Sequence, residues 1–200
     1  MKPLNTFASL ITESVKPLDE PDKLWEHFSI PAFDEGKAPV NELGCKIKSG
    51  KYRVKKSAVL ASKLNPDTER TWWIRPSNED QAVCSTEFMQ FVPNEPRSRA
   101  YLYSLIRSEA FQSEMKSRTT GSTGSRQRTQ PRAVHGTPVL DPGSRLQSIF
   151  SQKASCFLDR AAWNVSESRA LVRVRDALLP KLLSGELTIP AAEKPAADVL

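Results

Sequence analysis

The residues best suited to hold a charged ligand lie in one polar run, Thr120-Gly121-Ser122-Thr123-Gly124-Ser125-Arg126-Gln127-Arg128. Glycine, serine and threonine let backbone N–H groups and hydroxyls come close to a phosphate. Arg126 and Arg128 add charge-assisted bonds, and Gln127 carries the paired donor and acceptor that match an adenine edge. The same composition also suits a flexible linker. It is not a nucleotide-binding P-loop, because no Gly-Lys-Ser/Thr follows the second glycine. A second polar cluster, Ser62-Lys63-Leu64-Asn65-Pro66 with Arg70 nearby, falls at an expected strand end. Lys63, Asn65 and Arg70 there could grip a nucleic-acid backbone or base, or could simply furnish the polar surface of a strand turn.

Patterns for catalysis are weaker. Asp19 and Asp22 with Glu35-x-Lys37 superficially match a metal-dependent nuclease, whose carboxylates project from buried strands to share Mg²⁺. Here the aspartates lie in a proline-rich stretch and Glu35 adjoins Gly36 in a turn. His27 and His135 stand far from any ligand-like group of cysteines or carboxylates, so both are expected to be structural. Cys45, Cys84 and Cys156 are widely spaced and odd in number, which fits neither a disulfide framework nor a zinc site. No Gly-x-Gly-x-x-Gly and no Asn-Pro-Pro-Tyr/Phe of an adenine methyltransferase occurs. Catalysis by this chain alone is not expected, and neither is a metal or cofactor of its own.

Charge points to an anionic partner. The net charge is +6 and is unevenly spread. Residues 1–40 carry four lysines against seven carboxylates, whereas residues 41–70 carry eight basic groups against three acidic ones. Residues 97–132 carry eight against two. Two basic blocks thus supply the whole excess, and nucleic acid is the usual partner of such blocks. No apolar run approaches the roughly 20 residues that span a bilayer, and no signal-like segment follows Met1. A cytoplasmic chain is expected.

The elements that must position these residues read as mixed α/β of the α+β class. Residues 1–23 read as a polar lead-in with a short helix near Thr6–Val15. From Leu24 come short strand-like runs: Trp25 to Ile30, Lys46–Lys48, Tyr52–Val54, Ala58–Lys63, Thr71–Ile74, Ala82–Cys84 and Phe88–Val92. Together they predict one compact sheet. A helix is expected from Asn94 to about Arg118, where Leu102, Leu105, Ile106 and Ala110 recur at helical spacing. The globular domain would cover residues 24–132 and the connector 133–141.

The last element is a long helix over residues 142–185, with Asp141 as its cap, Gly185 as its end and a flexible tail over 186–200. At about 1.5 Å per residue it would run for roughly 63 Å. Phe150, Phe157, Asn164, Leu171 and Leu178 recur every seven residues, flanked by Leu146, Ala154, Ala161 and Leu182. That spacing predicts a coiled-coil seam with one polar layer, which needs another helix along it. A long core helix within one domain would be the alternative.

Four segments in this order resemble the specificity subunits of type I restriction–modification systems. They are Ile30–Gly36 (IPAFDEG), Val59–Pro66 (VLASKLNP), Thr120–Arg128 after a Tyr/Leu-rich helix, and Leu171–Leu187 (LVRVRDALLPKLLSGEL). The last is the most specific. The resemblance implies a target recognition domain followed by a spacer helix that pairs antiparallel with its counterpart. Lys63, Asn65, Arg70 and Thr120, Ser122, Thr123, Ser125, Arg126, Gln127 and Arg128 would then face double-stranded DNA. Phe150, Phe157, Asn164, Leu171, Leu178 and Leu182 would pair the helices. Implied partners are methyltransferase subunits, restriction subunits, and a second half-specificity chain or a second copy. S-adenosylmethionine, ATP and Mg²⁺ would belong to those partners. Family members usually carry two recognition domains and two helices; this chain has one of each, so it resembles half a specificity subunit. An inactive truncated half, acting only through its helix, is the competing reading.

Overall fold

The computed structural model describes residues 1–120 and 127–187. The chain divides into two compact units, Met1–Ala162 and a second that begins at Trp163. The first unit opens with strands β1 (Lys2–Pro3), β2 (Ala8–Ile11), β3 (Ser14–Val15) and β4 (Leu24–Phe28). Helix α1 (Ile30–Asp34) follows, then β5 (Val40–Leu43), β6 (Lys51–Arg53), β7 (Val59–Ser62) and β8 (Thr71–Trp73). After β9 (Ala82–Ser85) and β10 (Phe88–Pro93) come helices α2 (Arg99–Arg107) and α3 (Glu109–Ser117). Strands β11 (Thr119–Thr120) and β12 (Arg128–Thr129), helix α4 (Pro131–His135) and β13 (Pro138–Val139) lead into α5 (Ser144–Leu183).

Two main sheets form where one was expected. A four-stranded antiparallel sheet has the order β2-β10-β7-β8. A five-stranded sheet has the order β3-β6-β9-β4-β5, with β4 and β9 parallel and the rest antiparallel. The short β9–β10 connection passes the chain from one sheet to the other. Trp72, Phe28, Phe33 and Phe88 meet between the sheets and α1, with Trp72 edge-on to Phe28 at 5.1 Å. On its other face the four-stranded sheet is covered by α2, α3 and the start of α5, around Phe91, Leu102, Ile106 and Phe111.

Several sequence expectations are corrected. Residues 1–23 are part of the fold, not a lead-in, and Thr6–Val15 holds no α-helix: Leu4 and Ala8 are fully buried, and β2 pairs with β10, Leu10 opposite Phe91. Lys46–Lys48 is no strand, because Gly44–Lys46 forms a tight 3-10 turn seated against Pro17 and Glu20. The helix after Asn94 is broken at Ser108, whose extended backbone stops α2. Its hydroxyl then caps α3 by accepting from the Phe111 N–H at 3.3 Å. The connector is also structured, since β13 pairs with β1 and buries Val139.

The first turns of α5 belong to the globular unit. Asp141 accepts from the Gly143 N–H at 2.9 Å and pairs with Lys2 at 2.7 Å, so it fixes the approach to the helix. Gln147 and Ser151 are buried, and Ala154, Leu158 and Ala162 pack against the core. The Ser151 hydroxyl accepts from the Tyr101 N–H at 3.0 Å, filling one of the donors left over at the start of α2. Asp159 accepts from the Trp73 indole at 2.9 Å. At the far end Gly185 takes a φ of 75°, which only glycine adopts without strain.

Candidate nucleic-acid interface

Two segments far apart in sequence meet at one edge of the first unit. The turn after β7 places Lys63, Leu64 and Asn65 alongside Gln127, Arg128 and Thr129. Thr129 N–H donates to the Lys63 carbonyl at 2.9 Å and Asn65 N–H donates to the Gln127 carbonyl at 3.0 Å. Leu64 and Arg128 form a β-bridge between them. Asn65 sits in the left-handed region at φ 48°, which its short polar side chain tolerates. Residues 63–65 and 127–129 therefore form one surface, held by main chain.

The cations on this surface differ sharply. Lys63 is partly exposed and has no ion-pair partner among the described residues. Arg128 is half exposed and bonds Glu87 through Nε at 3.1 Å and Nη2 at 3.0 Å. Arg70 is sunk, its side chain only 12% exposed, and both Nε and Nη2 bond Asp34 at 2.7 and 2.9 Å. It joins α1 to the strand that follows it in the sheet. Thr120 ends β11, and its side chain, with Ser122, Thr123, Ser125 and Arg126, lies outside the described residues.

Much of the basic excess is spent inside the fold. Arg53 and Lys55 both grip Glu13, at 3.0 and 2.9 Å, and hold its carboxyl below the usual range. Arg99 is half-buried over the Trp73 ring at 3.8 Å, with Nη2 donating to the Ala58 and Ile74 carbonyls. Burial lowers its pKa to about 10. Arg118 donates to the Ala133 carbonyl and to Glu114. These side chains are engaged within the fold, which leaves them less free than Lys63 to contact a polyanion.

The residues weighed for nuclease chemistry do not assemble. Among the described residues no three His, Cys, Asp or Glu side chains are grouped to hold a metal ion. Lys37 lies over the Phe33 ring at 4.8 Å, and its carbonyl accepts from the Trp72 indole. His27 Nδ1 contacts Glu42 at 2.6 Å and His135 Nε2 contacts the Ala8 carbonyl at 2.7 Å. Burial depresses the His27 pKa and outweighs the carboxylate beside it, so the neutral ring donates to Glu42.

The pairing residues of α5 are exposed. Phe157 is 75% exposed, Leu171 62%, and Phe150, Leu178 and Leu182 between 37% and 44%, with Asn164 also at the surface. Ala154, read as flanking the seam, faces the core instead. An open apolar groove of about 1110 Å³ adjoins Phe150 and Ile149, lined across from them by Tyr101, Leu105, Phe111 and Val139. Among the described residues no helix is long and apolar enough to cross a membrane.

Sequence reasoning missed Glu87 and Asp34, the two carboxylates that orient arginines at this edge. They lie 41 and 36 residues from their partners, and no local pattern marks such pairs.

Comparison with known proteins bears out the resemblance. The chain is 24% identical over 113 residues to the HindI type I restriction enzyme specificity subunit of Haemophilus influenzae. That alignment covers 56% of this chain and 23% of the relative, so the chain spans about a quarter of that protein within the match. The HsdS subunit of Thermoanaerobacter tengcongensis shares the fold over 95% of this chain and 49% of its own, with TM-score 0.61 and 22% identity. A structure described as the basis of complex assembly and conformational transition of the type I R-M system matches with TM-score 0.62 and 21% identity. It is covered to 50%, and this chain to 95%. The S subunit from M. genitalium gives 0.59 at 13% identity over 92% of this chain and 45% of its own. No family model matches the sequence. The mixed α+β fold with a long C-terminal helix is thus the fold of specificity-subunit halves.

Proposed function

We propose that this chain reads DNA as half of a type I specificity subunit. It would bind one half of a bipartite target and position methyltransferase and restriction subunits, itself performing no catalysis. One observation carries the reading: Lys63, Asn65, Gln127 and Arg128, picked from two distant stretches, share a single main-chain-braced edge. Phosphate contacts from cations such as Lys63 would set the register, and side chains on the edge would read bases in the major groove. Two such chains paired through α5 would hold two recognition edges a fixed distance apart, giving a palindromic bipartite site. Adenine flipping and methyl transfer would belong to partners carrying S-adenosylmethionine, and cleavage to partners using ATP and Mg²⁺. Such work places the chain in the cytoplasm.

The test is co-expression with the methyltransferase subunits of a type I system, followed by mapping of methylated adenines. A bipartite methylated motif that appears only with this chain is the expected result. Absence of any new motif in an assembled complex overturns the reading.

A further inference from the structure

The connection between β9 and β10 carries Glu87, and the recognition segments converge on it. Its N–H donates to the Ser85 hydroxyl at 3.2 Å, and its carbonyl accepts from the Lys63 N–H at 2.9 Å. Its carboxylate accepts from Arg128 Nε at 3.2 and 3.1 Å and from Nη2 at 3.0 Å. Arg128 is anchored to the same short stretch, through its bridge to Leu64 and through the Asn65 bond to the preceding carbonyl. Both ends of this ion pair are therefore fixed separately to residues 63–65. The Glu87 side chain is 25% exposed and that of Arg128 48%, so this arginine is reachable from solvent, whereas the side chain of Arg70 is only 12% exposed.

A carboxylate beside an arginine lowers the local positive potential and weakens the attraction for phosphate. It also fixes the guanidinium plane, which matters little for a phosphate and much for two-point recognition of guanine O6 and N7. The arrangement gives up charge and gains geometry. We infer that Glu87 is a positioning residue for sequence reading, which holds Arg128 against a guanine edge in the major groove. The inference rests on the DNA-reading role proposed above.

The experiment uses the full chain, alone and in the assembled methyltransferase complex, with a randomised duplex library selected at low and moderate salt. Wild type is expected to enrich a motif with a required guanine. Glu87→Gln should bind unselected duplex as tightly as wild type, or up to about threefold tighter, yet lose preference at that one position. Arg128→Ala should lose the same preference and bind unselected duplex about two- to fivefold more weakly. Glu87→Asp should restore part of the discrimination. A merely structural salt bridge would instead lower affinity evenly across the library when Glu87 is changed. That even loss, or an unchanged motif in Glu87→Gln, overturns the positioning role while the DNA-reading role stands. If wild type retains no duplex above background in either form, the DNA-reading role fails and this inference with it.

Discussion

Arg70 and Arg128 carry the same charge into different work. Arg70 is nearly covered and held through Nε and Nη2 by Asp34, so its removal should be felt in stability. Arg70→Ala is expected to cost about 1–2 kcal/mol by urea unfolding, because Asp34 is partly exposed and recovers water. DNA affinity, compared at equal folded fraction, should hardly change; a selective loss of DNA binding with normal stability would contradict this. His27 supplies a pH dependence. Its folded-state pKa is pushed below the ordinary 6.5 by burial first and by Lys51, against the opposing pull of Glu42. The unfolded chain therefore binds the proton more readily, and the stability contributed by neutral His27 is present above pH 6.5 and lost as pH falls through the lower folded value. The melting midpoint of wild type should decline on acidification below that point. His27→Gln should flatten that part of the profile, and an equal slope in both proteins would rule out this source.

At the level of elements, what was legible followed from local pattern. β7, β8, β9 and β10 announce themselves as apolar runs bounded by turns, and both Gly185 and the seven-residue spacing mark α5. The first strands did not, because β2 is held by β10, a partner some eighty residues away, and Ala8–Ile11 alone is too short to show a period. The inner face of α5 was hidden for a related reason. Gln147, Ser151 and Ala154 face the core, where Ser151 fills the Tyr101 N–H and Gln147 reaches Asp141. Polar and small side chains with such partners leave no hydrophobic signature. Gly44 shows the same blindness at a turn. A Cβ there would sit 2.2 Å from the Glu20 carbonyl oxygen and 2.3 Å from that of Pro17, both main chain and neither able to swing aside. Gly44→Ala should destabilise the first unit by about 1–3 kcal/mol in thermal or urea unfolding, the usual cost of overpacking. A neutral outcome would mean that this turn yields readily.

For the whole molecule, the decisive question is what covers α5. One face near its start serves the chain's own core, through Gln147, Ser151, Ala154, Leu158 and Ala162. Along the rest of the helix Phe157, Leu171, Val174 and Leu183 are all more than half exposed. Leaving a series of leucines in water forgoes roughly 25 cal/mol for each Å² that a partner would cover. The spacing of Phe150, Phe157, Asn164, Leu171 and Leu178 is symmetric about Asn164, so a second copy running antiparallel could set Asn164 against its own counterpart and phenylalanine against leucine on either side. Light scattering should then give the wild-type chain twice its 22.3 kDa, and Leu171→Asp with Leu178→Asp should return it to one. Asn164→Leu should keep or tighten the dimer while loosening its register, since a polar layer fixes alignment at some cost in stability. A wild-type chain that stays at 22.3 kDa both alone and when mixed with a complementary half would remove the helix as a pairing device. Methylation of half-sites without fixed spacing would then be the expected consequence, because only a rigid link between two recognition edges can hold a spacer constant.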